Sequence, residues 1–372
     1  MGKRHFKDLG EGSFFGEMIY DRVVPEDHAL RRIDRVVDWM PFTEKLVSLY
    51  RGEGGVMGRP PYDPVVILKM LLLCYLYDMS HRRVESYVND SLSAKWFLGL
   101  AVDEPAPDHT TLTVFKRRVV EHGGQDCLVG LLGEVVRQAV EQGIEFGSIQ
   151  VVDSTHTEAD VNIPKDDRRQ NKGGKGPRDG GARWGVKHTR KRRNERGEVV
   201  RQRQFIYGYK MHTSMNASSE MITSIVVTGS QAHDGKQFPQ LVDRDQELGL
   251  PIEIYSADRG YDGGENHYLL ESRGLHSAIR LNDYRTQKKD KNKEVWFTLQ
   301  NSDTYRRGQQ VRFKIERKYG EAKRNHGLGR CRYIGWKGYV VQAYLTCIAL
   351  NLKRMVRMLT GVPFAAHARL PA

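Results

Sequence analysis

The segment SIQVVDSTHTEA, residues 148–159, is the point at which the sequence changes from helix signals to strand signals. From about residue 20 to residue 146, the sequence carries helix signals and almost no strand signals. The segment itself is rich in apolar residues up to Val152, as in a strand of a buried sheet. A chain of 372 residues is expected to form two domains. The sequence therefore predicts a helical region followed by a region built on strands, an α+β organisation.

Caps and apolar faces define the helices of the first region. In DPVVILKMLLLCYLYDMS, residues 63–80, Asp63 precedes Pro64 as an N-cap, and the stretch is apolar nearly all round. We therefore expect a buried central helix there. Further helices are predicted for SHRRVESYVND, SAKWFLGL, DHTTLTVFKRRVVEHG (ending at Gly123) and CLVGLLGEVVRQAVEQG (ending at Gly143).

The second region alternates strands with helices. Strands are predicted for residues 148–159, QFIYGYKMHTSMN, EMITSIVVTGS, IEIYSAD and LHSAIRL, and EVWFTL is a candidate short strand. Helices are predicted for DGKQFPQLVDRDQELG, ENHYLLESRG, VRFKIERKYGEAKRNHG and GYVVQAYLTCIALNLKRMVRML. The order β-β-β-α-β-α-β-α predicts one mixed sheet with helices packed on its faces.

Positive charge is concentrated in one segment. The formal net charge is +13, and residues 165–204 hold fifteen Lys or Arg against five acids. Such an excess favours a polyanionic partner, most often nucleic acid. We expect a flexible or DNA-ordered insertion at about residues 160–204, with a solvated loop without function as the alternative, and a second insertion at about 282–310. Four residues of the first insertion are predicted phosphate contacts: Arg190, Lys191, Arg192 and Arg193.

Cysteine usage and hydropathy bear on the compartment. The four cysteines are scattered without a C-x-x-C pair, which favours a reducing compartment over a disulfide framework or a zinc site. The most apolar run, VVILKMLLLCYLY, contains Lys69 and is shorter than the roughly 18 residues of a membrane span. The N-terminus has no apolar signal-peptide core. A soluble cytoplasmic protein without a membrane partner is expected.

Three acidic residues stand where a metal site would need them. Asp153 lies within the first strand, Asp258 ends IEIYSAD, and Glu316 lies on the helix FKIERKYGEAK. A carboxylate beside buried strand residues is costly unless it is paired or binds a metal. Three hard oxygen ligands suit Mg²⁺ or Mn²⁺, and two such ions drive in-line phosphoryl transfer.

Each acid also has an ordinary structural interpretation. An Asp at a strand end is commonly a turn former, and a helical Glu beside Arg317 and Lys318 is commonly a solvated ion-pair residue. Glu321 competes with Glu316 as the third ligand, since five residues carry a helix well past one turn and both cannot face one metal. Taken together, in this strand order on a basic chain, the three acids favour a metal site.

The chain resembles the DDE transposases of bacterial insertion sequences, in the group named after insertion sequences four and five, over roughly residues 20–355. The resemblance rests on VPEDHALRRID, GRPPYDPVVILKMLLLCYL and DHTTLTVFKRRV in the helical region, and on VVDSTHTEAD, YGYKMHTSMN and SADRGYDG in the second. Arg312, Glu316 and Lys323 match the R-x3-E-x6-K part of the family's Tyr-Arg-Glu-Lys signature. The expected Tyr is Gln309 here, with Tyr305 nearby, so the role of the tyrosine does not carry over.

The resemblance implies a ribonuclease-H-like catalytic domain with Asp153, Asp258 and Glu316 as catalytic residues and metal ligands. The spacing around Arg312 selects Glu316 over Glu321. It implies cutting at element ends and joining of 3′-hydroxyl ends to target DNA by two-metal-ion phosphoryl transfer, with two Mg²⁺ ions per site, for which Mn²⁺ substitutes. Terminal inverted repeats and target DNA would be the partners, and a homodimer or larger assembly would form the synaptic complex on the bacterial nucleoid. The alternatives are a nuclease without strand transfer and a non-catalytic DNA-binding protein.

The expected domains are a helical DNA-binding or dimerisation region at residues 1–146, a catalytic domain at 147–360 and a tail at 361–372. In the first, MSHRRVESYVND and DHTTLTVFKRRV are candidates for a helix-turn-helix, with Arg117 and Arg118 as DNA contacts. A helical packing domain is the alternative.

Further DNA contacts are expected near the catalytic acids: Arg312, Lys323, Lys210, His212 and Tyr261. For His212 the alternative is a satisfied core residue, and for Tyr261 it is packing in the turn. His233 and Asp234 are interpreted as the cap of the next helix, and Asp262 as an ordinary turn residue.

Overall fold

The chain forms two compact units, Met1–Ile144 with Tyr344–Ala372, and Glu145–Ala343. The structure is a computed structural model, and it describes residues 6–7, 14–50, 60–163, 177–193, 199–286 and 291–364. Among these residues no single helix is long and apolar enough to cross a membrane, and one pair, Pro64–Leu76 with His81–Asp90, meets the criterion only when joined across a 106° bend.

The first unit is helical. Its helices are α1 Phe14–Val23, α2 Ala29–Val36, α3 Met40–Val47, α4 Pro64–Leu76, α5 His81–Asp90, α6 Leu92–Leu98, α7 His109–Arg118, α8 Gly124–Glu141 and, from Tyr344 onward, the long helix α14 Trp336–Thr360. Four side chains accept hydrogen bonds from backbone N–H groups of the following turn: Asp63, Ser80, Ser91 and Asp108. The Asp63 cap is the one predicted, and the four caps together fix where α4 to α7 begin.

Helix α4 is the buried centre of this unit, as predicted. Its one charged residue, Lys69, places its ammonium 2.7 Å from Asp34 and 4.8 Å from the ring centroid of Trp39. Burial lowers the pKa of Lys69, and the Asp34 carboxylate opposes that shift. A lysine is tolerated in this apolar helix because its charge is paired.

The second unit is built on a six-stranded mixed sheet. Its strands are β1 Ile149–Glu158, β2 Arg183–Arg193, β3 Val199–Asn216, β4 Ile222–Gly229, β5 Ile254–Ala257 and β6 His276–Ile279. β3 pairs antiparallel with β1, β2 and β4, whereas β1, β5 and β6 are parallel to one another. The order β4-β3-β1-β5-β6 is the ribonuclease-H-like arrangement that the resemblance implies, so the predicted fold class is confirmed.

Helices cover both faces of this sheet: α9 Phe238–Glu247, α10 Gly264–Ser272, α11 Lys293–Asn301, α12 Asp303–Gln310 and α13 Phe313–Asn325. On one face, Val152 and Tyr255 belong to the buried cluster that includes Phe238 of α9 and Leu270 of α10. On the other, Ile254 packs in a cluster with Tyr305 of α12. Since successive strand residues point to opposite faces, Asp153 points away from the Val152 face, toward the side that carries α12.

The segment EVWFTL is a helix, and its assignment as a short strand is wrong. Within α11, Trp296 and Leu299 are partly buried and three residues apart, whereas Val295 and Phe297 are exposed. This spacing is helical. On the partly buried side of α11, the centroid of the Trp296 ring lies 4.5 Å from the guanidinium carbon of Arg285.

Part of the basic insertion is a regular hairpin. β2 pairs with the first half of β3, which begins at Val199 and not at the predicted Gln204. Backbone pairing therefore organises residues 183–193 and 199–204 within the protein itself, which disfavours a flexible segment there. Residues 164–176 and 194–198 of the insertion lie outside the described residues.

Candidate active site

The register of two parallel strands brings Asp153 and Asp258 together. Val152 of β1 pairs with Ala257 of β5, and each aspartate is the next residue of its chain segment. Neighbouring strands lie about 4.8 Å apart, so the two carboxylates start from adjacent positions. Asp258 also forms the turn, because its Oδ1 accepts a hydrogen bond from the Gly260 N–H at 2.8 Å. Turn former and site residue are therefore compatible roles for the same side chain.

The two aspartates disturb each other electrostatically. Burial, followed by the charge of Asp258, raises the pKa of Asp153 to about 7. Burial also raises the pKa of Asp258, while the Gly260 N–H and the charge of Arg312 oppose the shift. Two acids held close in a buried position favour a cation between them or the loss of one charge.

One side of α13 faces the end of β1. The hydroxyl of Tyr319 donates to the Asp153 carbonyl oxygen at 2.8 Å. At 3.6 residues per turn, Arg312, Glu316 and Lys323 lie on the same side of the helix as Tyr319. The predicted R-x3-E-x6-K pattern is thus a stripe on one helix side, with Glu316 one turn from the tyrosine that contacts β1.

Glu321 lies on the opposite side of α13 from Arg312, by the same helical periodicity. Its carboxylate is 3.6 Å from the ammonium of Lys318 and 3.9 Å from Nε2 of His326. Those contacts hold it away from the stripe that carries Glu316. The arrangement favours Glu316 over Glu321 as a partner of Asp153, although Glu316 itself is exposed to solvent.

Gln309 occupies the position at which the resemblance expects Tyr. Its Nε2 donates to the Ala257 carbonyl at 3.3 Å and to the Ala278 carbonyl. Beside it, a Cβ on Gly308 would lie 2.4 Å from the Ala278 Cβ, so only glycine allows α12 to approach the sheet this closely. The glutamine therefore ties α12 to the residue that precedes Asp258.

Two family models match the chain. The model described as Transposase DDE domain matches residues 145–352, which is more than half of the chain and includes the sheet and both aspartates. The model described as Transposase domain (DUF772) matches residues 18–118. The chain belongs to the DDE transposase family. Members of this family are enzymes of DNA transposition and recombination.

Solved structures of transposases also resemble the chain, at low identity. A cryo-EM structure of the piggyBac transposase synaptic complex with hairpin DNA is 10% identical, with coverage of 90% of this chain and 76% of that one and a TM-score of 0.43. The crystal structure of the Mos1 mariner paired end complex with Mn is 11% identical, with coverage of 91% and 92% and a TM-score of 0.21. With TM-scores this low, the topology of the DDE transposase described here rests on its own strand order.

A further carboxylate, Asp234, lies beside the aspartate pair of this transposase, and the sequence interpretation missed it. Its Oδ1 is 3.0 Å from the Lys210 ammonium and 3.3 Å from Nδ1 of His212. A Cβ on Gly260 would lie 3.1 Å from Oδ2 of Asp234 and 3.0 Å from Oδ1 of Asp258, so these two carboxylates flank the same glycine. Asp234 also contributes to raising the pKa of Asp258, after burial.

Of the two residues predicted to cap the next helix, His233 and Asp234, only His233 does so. Its Nδ1 accepts from the Gly235 N–H at 3.2 Å, at the start of the one-turn 3-10 helix Asp234–Gln237. Asp234 follows it and faces inward, toward Lys210. No local sequence signal separates these two roles, because the partners of Asp234 come from β3.

Three residues expected to contact DNA are buried in the transposase. Lys210 donates to Asp234 and to the Ala232 carbonyl at 3.0 Å each, so its charge is used inside the protein. Nε2 of His212 lies 2.8 Å from the Thr228 hydroxyl, and burial lowers the pKa of the histidine to about 4. Tyr261 is fully buried among apolar residues of the sheet core. Burial of these three side chains disfavours the predicted DNA contacts, and the packing alternatives for His212 and Tyr261 describe the structure.

The remaining residues predicted to contact DNA differ in their exposure and in their contacts within the protein. Arg117 is exposed and lies 3.8 Å from Glu121, whereas the Arg118 guanidinium lies 4.5 Å from the ring centroid of Tyr50. Lys323 is partly buried on the Glu316 stripe. Four lie on β2, where only the backbone is described: Arg190, Lys191, Arg192 and Arg193.

The donor set fits a hard divalent cation in part. Enzymes of this family generally use divalent metal ions. Asp153 and Asp258 supply oxygen donors of the kind that Mg²⁺ and Mn²⁺ prefer, and a cation would offset the repulsion that raises the pKa of Asp153. Among the described residues, no group of three or more His, Cys, Asp or Glu side chains is placed to hold a metal ion. The two aspartates therefore fit such an ion, and Glu316 is the exposed acid on the α13 stripe.

Proposed function

We propose that this transposase cuts DNA at the ends of a mobile element and joins the freed 3′-hydroxyl ends to target DNA, with Asp153, Asp258 and Glu316 as its catalytic residues. The pairing of Val152 with Ala257 carries the proposal, since it sets two acids side by side at the end of parallel strands. Glu316 is included because its helix side carries the Tyr319 contact to Asp153.

Metal ions complete the proposed site. The three carboxylates would hold two Mg²⁺ ions, for which Mn²⁺ would substitute. When bound, such ions activate the attacking oxygen and stabilise the leaving oxygen of a phosphoryl transfer. The protein's part is to hold three negative groups in place before DNA arrives. Arg312 would face the scissile phosphate, because its charge reaches both aspartates and its buried Nε has no hydrogen-bond partner among the described residues.

The reaction is two exchanges at phosphorus. In the first, a water oxygen bonds to phosphorus and the bond to the 3′ oxygen breaks, which leaves a 3′-hydroxyl and a 5′-phosphate. In the second, that 3′ oxygen bonds to a target phosphorus and displaces the 3′ oxygen of the target strand. The second step replaces one phosphodiester with another, so it needs no external energy source.

We assign different roles in the reaction to the two regions of the chain. We assign residues 1–146 to holding the terminal inverted repeats, with exposed Arg117 as a DNA contact, and residues 147–360 to catalysis. Arg312 and Lys323 would contact phosphates on either side of Glu316, since the three share one side of α13. Synapsis of two element ends requires two active sites, which we propose a homodimer or larger assembly supplies.

The test is a strand-transfer assay with the full chain. The protein is incubated with Mg²⁺, a duplex that carries an element end, and a supercoiled plasmid as target. Joined products are expected, and they disappear when Mg²⁺ is omitted. Cleavage without joined products would instead indicate a nuclease without strand transfer. DNA binding without cleavage, in Mg²⁺ and in Mn²⁺, would indicate a non-catalytic DNA-binding protein and overturn the proposal.

A further inference from the structure

The hairpin of β2 and β3 exposes a set of adjacent apolar side chains. Trp184 is 52% exposed, Val186 43% and Phe205 58%. Trp184 pairs with Tyr207 and Val186 pairs with Phe205, and directly paired residues of antiparallel strands lie on the same face. The three exposed side chains therefore form one patch, the hairpin patch, rather than isolated surface residues, and a contiguous exposed patch calls for a binding role.

The hairpin patch rests on a fixed base. On its reverse face, a Cβ on Gly185 would lie 2.2 Å from the Ser230 carbonyl oxygen, so the backbones are in close contact there. The Tyr207 ring lies 5.3 Å from the Trp184 ring, and its hydroxyl donates to the Asp179 carbonyl at 2.8 Å. The exposed rings are thus presented by a strand pair that the sheet domain holds from behind.

The charge around the patch selects its partner. Between residues 183 and 204 the sequence has nine Lys or Arg against two acids, Glu195 and Glu198, a net +7. Arg203 is exposed and shares the face of Phe205, since side chains two apart on a strand point the same way. Two copies of so basic a hairpin would repel each other, which disfavours self-association through this face. A partner with negative charge and flat apolar surfaces is required, and nucleic acid offers both in its phosphates and its base faces.

We propose that Trp184 and Phe205 stack on unpaired or end-exposed DNA bases while basic residues of the same hairpin contact the neighbouring phosphates. Aromatic side chains beside positive charge bind single-stranded segments in this way, without a need for a particular base sequence. The inference rests on the proposed function only in taking DNA as the ligand. It adds a site that holds DNA whose strands are already open, as they are beside a cut element end.

The test is a binding measurement with the full chain in EDTA, where no cleavage occurs. Two probes are used: a blunt duplex, and the same duplex with a single-stranded 3′ overhang that contains 2-aminopurine. Trp184→Ala and Phe205→Ala are expected each to weaken overhang binding by about 5- to 150-fold, the range for one lost stacked base. Both should also abolish the quenching of 2-aminopurine, and Trp184→Phe should retain it. Blunt duplex binding should change far less.

Salt dependence separates stacking from charge. The slope of log affinity against log salt counts phosphate contacts, so Trp184→Ala should leave the slope unchanged, whereas Arg203→Gln should lower it by about one. Tyr268→Ala is the matched control, since Tyr268 is 70% exposed on α10 of the same unit. Thermal unfolding that matches wild type confirms that each variant is folded.

Several outcomes would overturn the inference. One is binding of the overhang by Trp184→Ala and Phe205→Ala with the affinity and quenching of wild type. Another is a sedimentation profile in which Trp184→Ala dissociates a dimer without loss of base quenching, which would make a second copy the occupant. If wild type binds neither probe, the proposed function fails with the inference. If wild type binds both and only the stacking signals are missing, the inference alone fails.

Discussion

Asp258 and Asp262 lie four residues apart in one turn, yet the protein treats their charges in opposite ways. The side chain of Asp262 is fully buried, and its carboxylate accepts from Nε of Arg285 at 2.6 Å and from the Asn282 N–H at 2.7 Å. Nε2 of His267 lies 3.1 Å from it. Burial alone would raise the pKa of Asp262, but these partners outweigh burial and hold it below its ordinary value. The sequence interpretation of Asp262 as an ordinary turn residue is therefore wrong.

Asp258 has no comparable set of partners. Its pKa is raised by burial, and Asp153 beside it carries a pKa of about 7, raised by burial and then by the Asp258 charge. The charge of a structural acid such as Asp262 is matched by partners within the fold. The negative charge of the pair Asp153 and Asp258 is not matched in this way. Burial therefore does not by itself identify an acid of the active site. What identifies it is a charge left unmatched where a cation and a phosphate can approach.

The largest effect is expected from removing the unmatched acids. Asp153→Ala, Asp258→Ala and Glu316→Ala should each abolish strand cleavage while DNA binding survives, because each would remove a donor that the reacting site needs. Cleavage of an end-bearing duplex in Mg²⁺ and in Mn²⁺, beside a binding assay in EDTA, measures the two properties separately. Glu321→Ala is the matched control on α13 and should retain cleavage, since Glu321 already pairs with Lys318. Strong residual cleavage by any one of the three would remove that residue from the catalytic set.

Replacement of the matched acid, Asp262, should reduce the stability of the protein. Asp262→Ala leaves the Arg285 guanidinium buried without its carboxylate, and breaking a buried pair in this manner costs about 3–5 kcal/mol. Urea unfolding at constant pH measures the loss. Asp283→Ala is the control from the neighbouring loop, because its pair with Arg259 is exposed and is worth at most about 1 kcal/mol. Equal stability of Asp262→Ala and wild type would show that the partners of Asp262 do not compensate its burial.

Asp245 is a buried acid whose effect on stability should depend on pH. Asp245 is fully buried, and burial raises its pKa to about 6 even though Ser214 and Thr223 donate hydrogen bonds to it. The folded state thus binds this proton more tightly than the unfolded state, so the stabilisation is full below about pH 4 and is lost as pH rises toward 6. The loss is up to about 3 kcal/mol. The difference in unfolding free energy between wild type and Asp245→Asn should follow this course, and a difference that does not change between pH 4 and 7 would contradict it.

The sequence predicts what depends on local pattern. Asp153 and Asp258 can be found because each follows apolar strand residues, and the mixed sheet follows from the alternation of strands and helices along the chain. The hairpin strand β2 could not be found, since KHTRKRR has little strand character and forms a strand only by pairing with β3. Asp262 was misassigned for a related reason, because Arg285 reaches it from a loop 23 residues later in the chain. Residue types and spacing do not encode which distant partners a register brings together.

Asp234 shows the same limit and gives the smallest of the predicted effects. Asp234→Asn keeps the shape of the side chain but removes the charge that pairs with the Lys210 ammonium beside the Asp258 turn. Loss of a group that orients neighbouring ligands typically costs 10- to 100-fold, so cleavage should fall by about that factor and the half-saturating Mn²⁺ concentration should rise. Asp243→Asn is the control and should change neither property. Asp243 is an exposed acid of the same unit, residues 145–343, and it pairs with Arg273. A fall in thermal stability with an unchanged Mn²⁺ requirement would make Asp234 a purely structural residue. The unmatched negative charge of the site would then come from Asp153 and Asp258 alone.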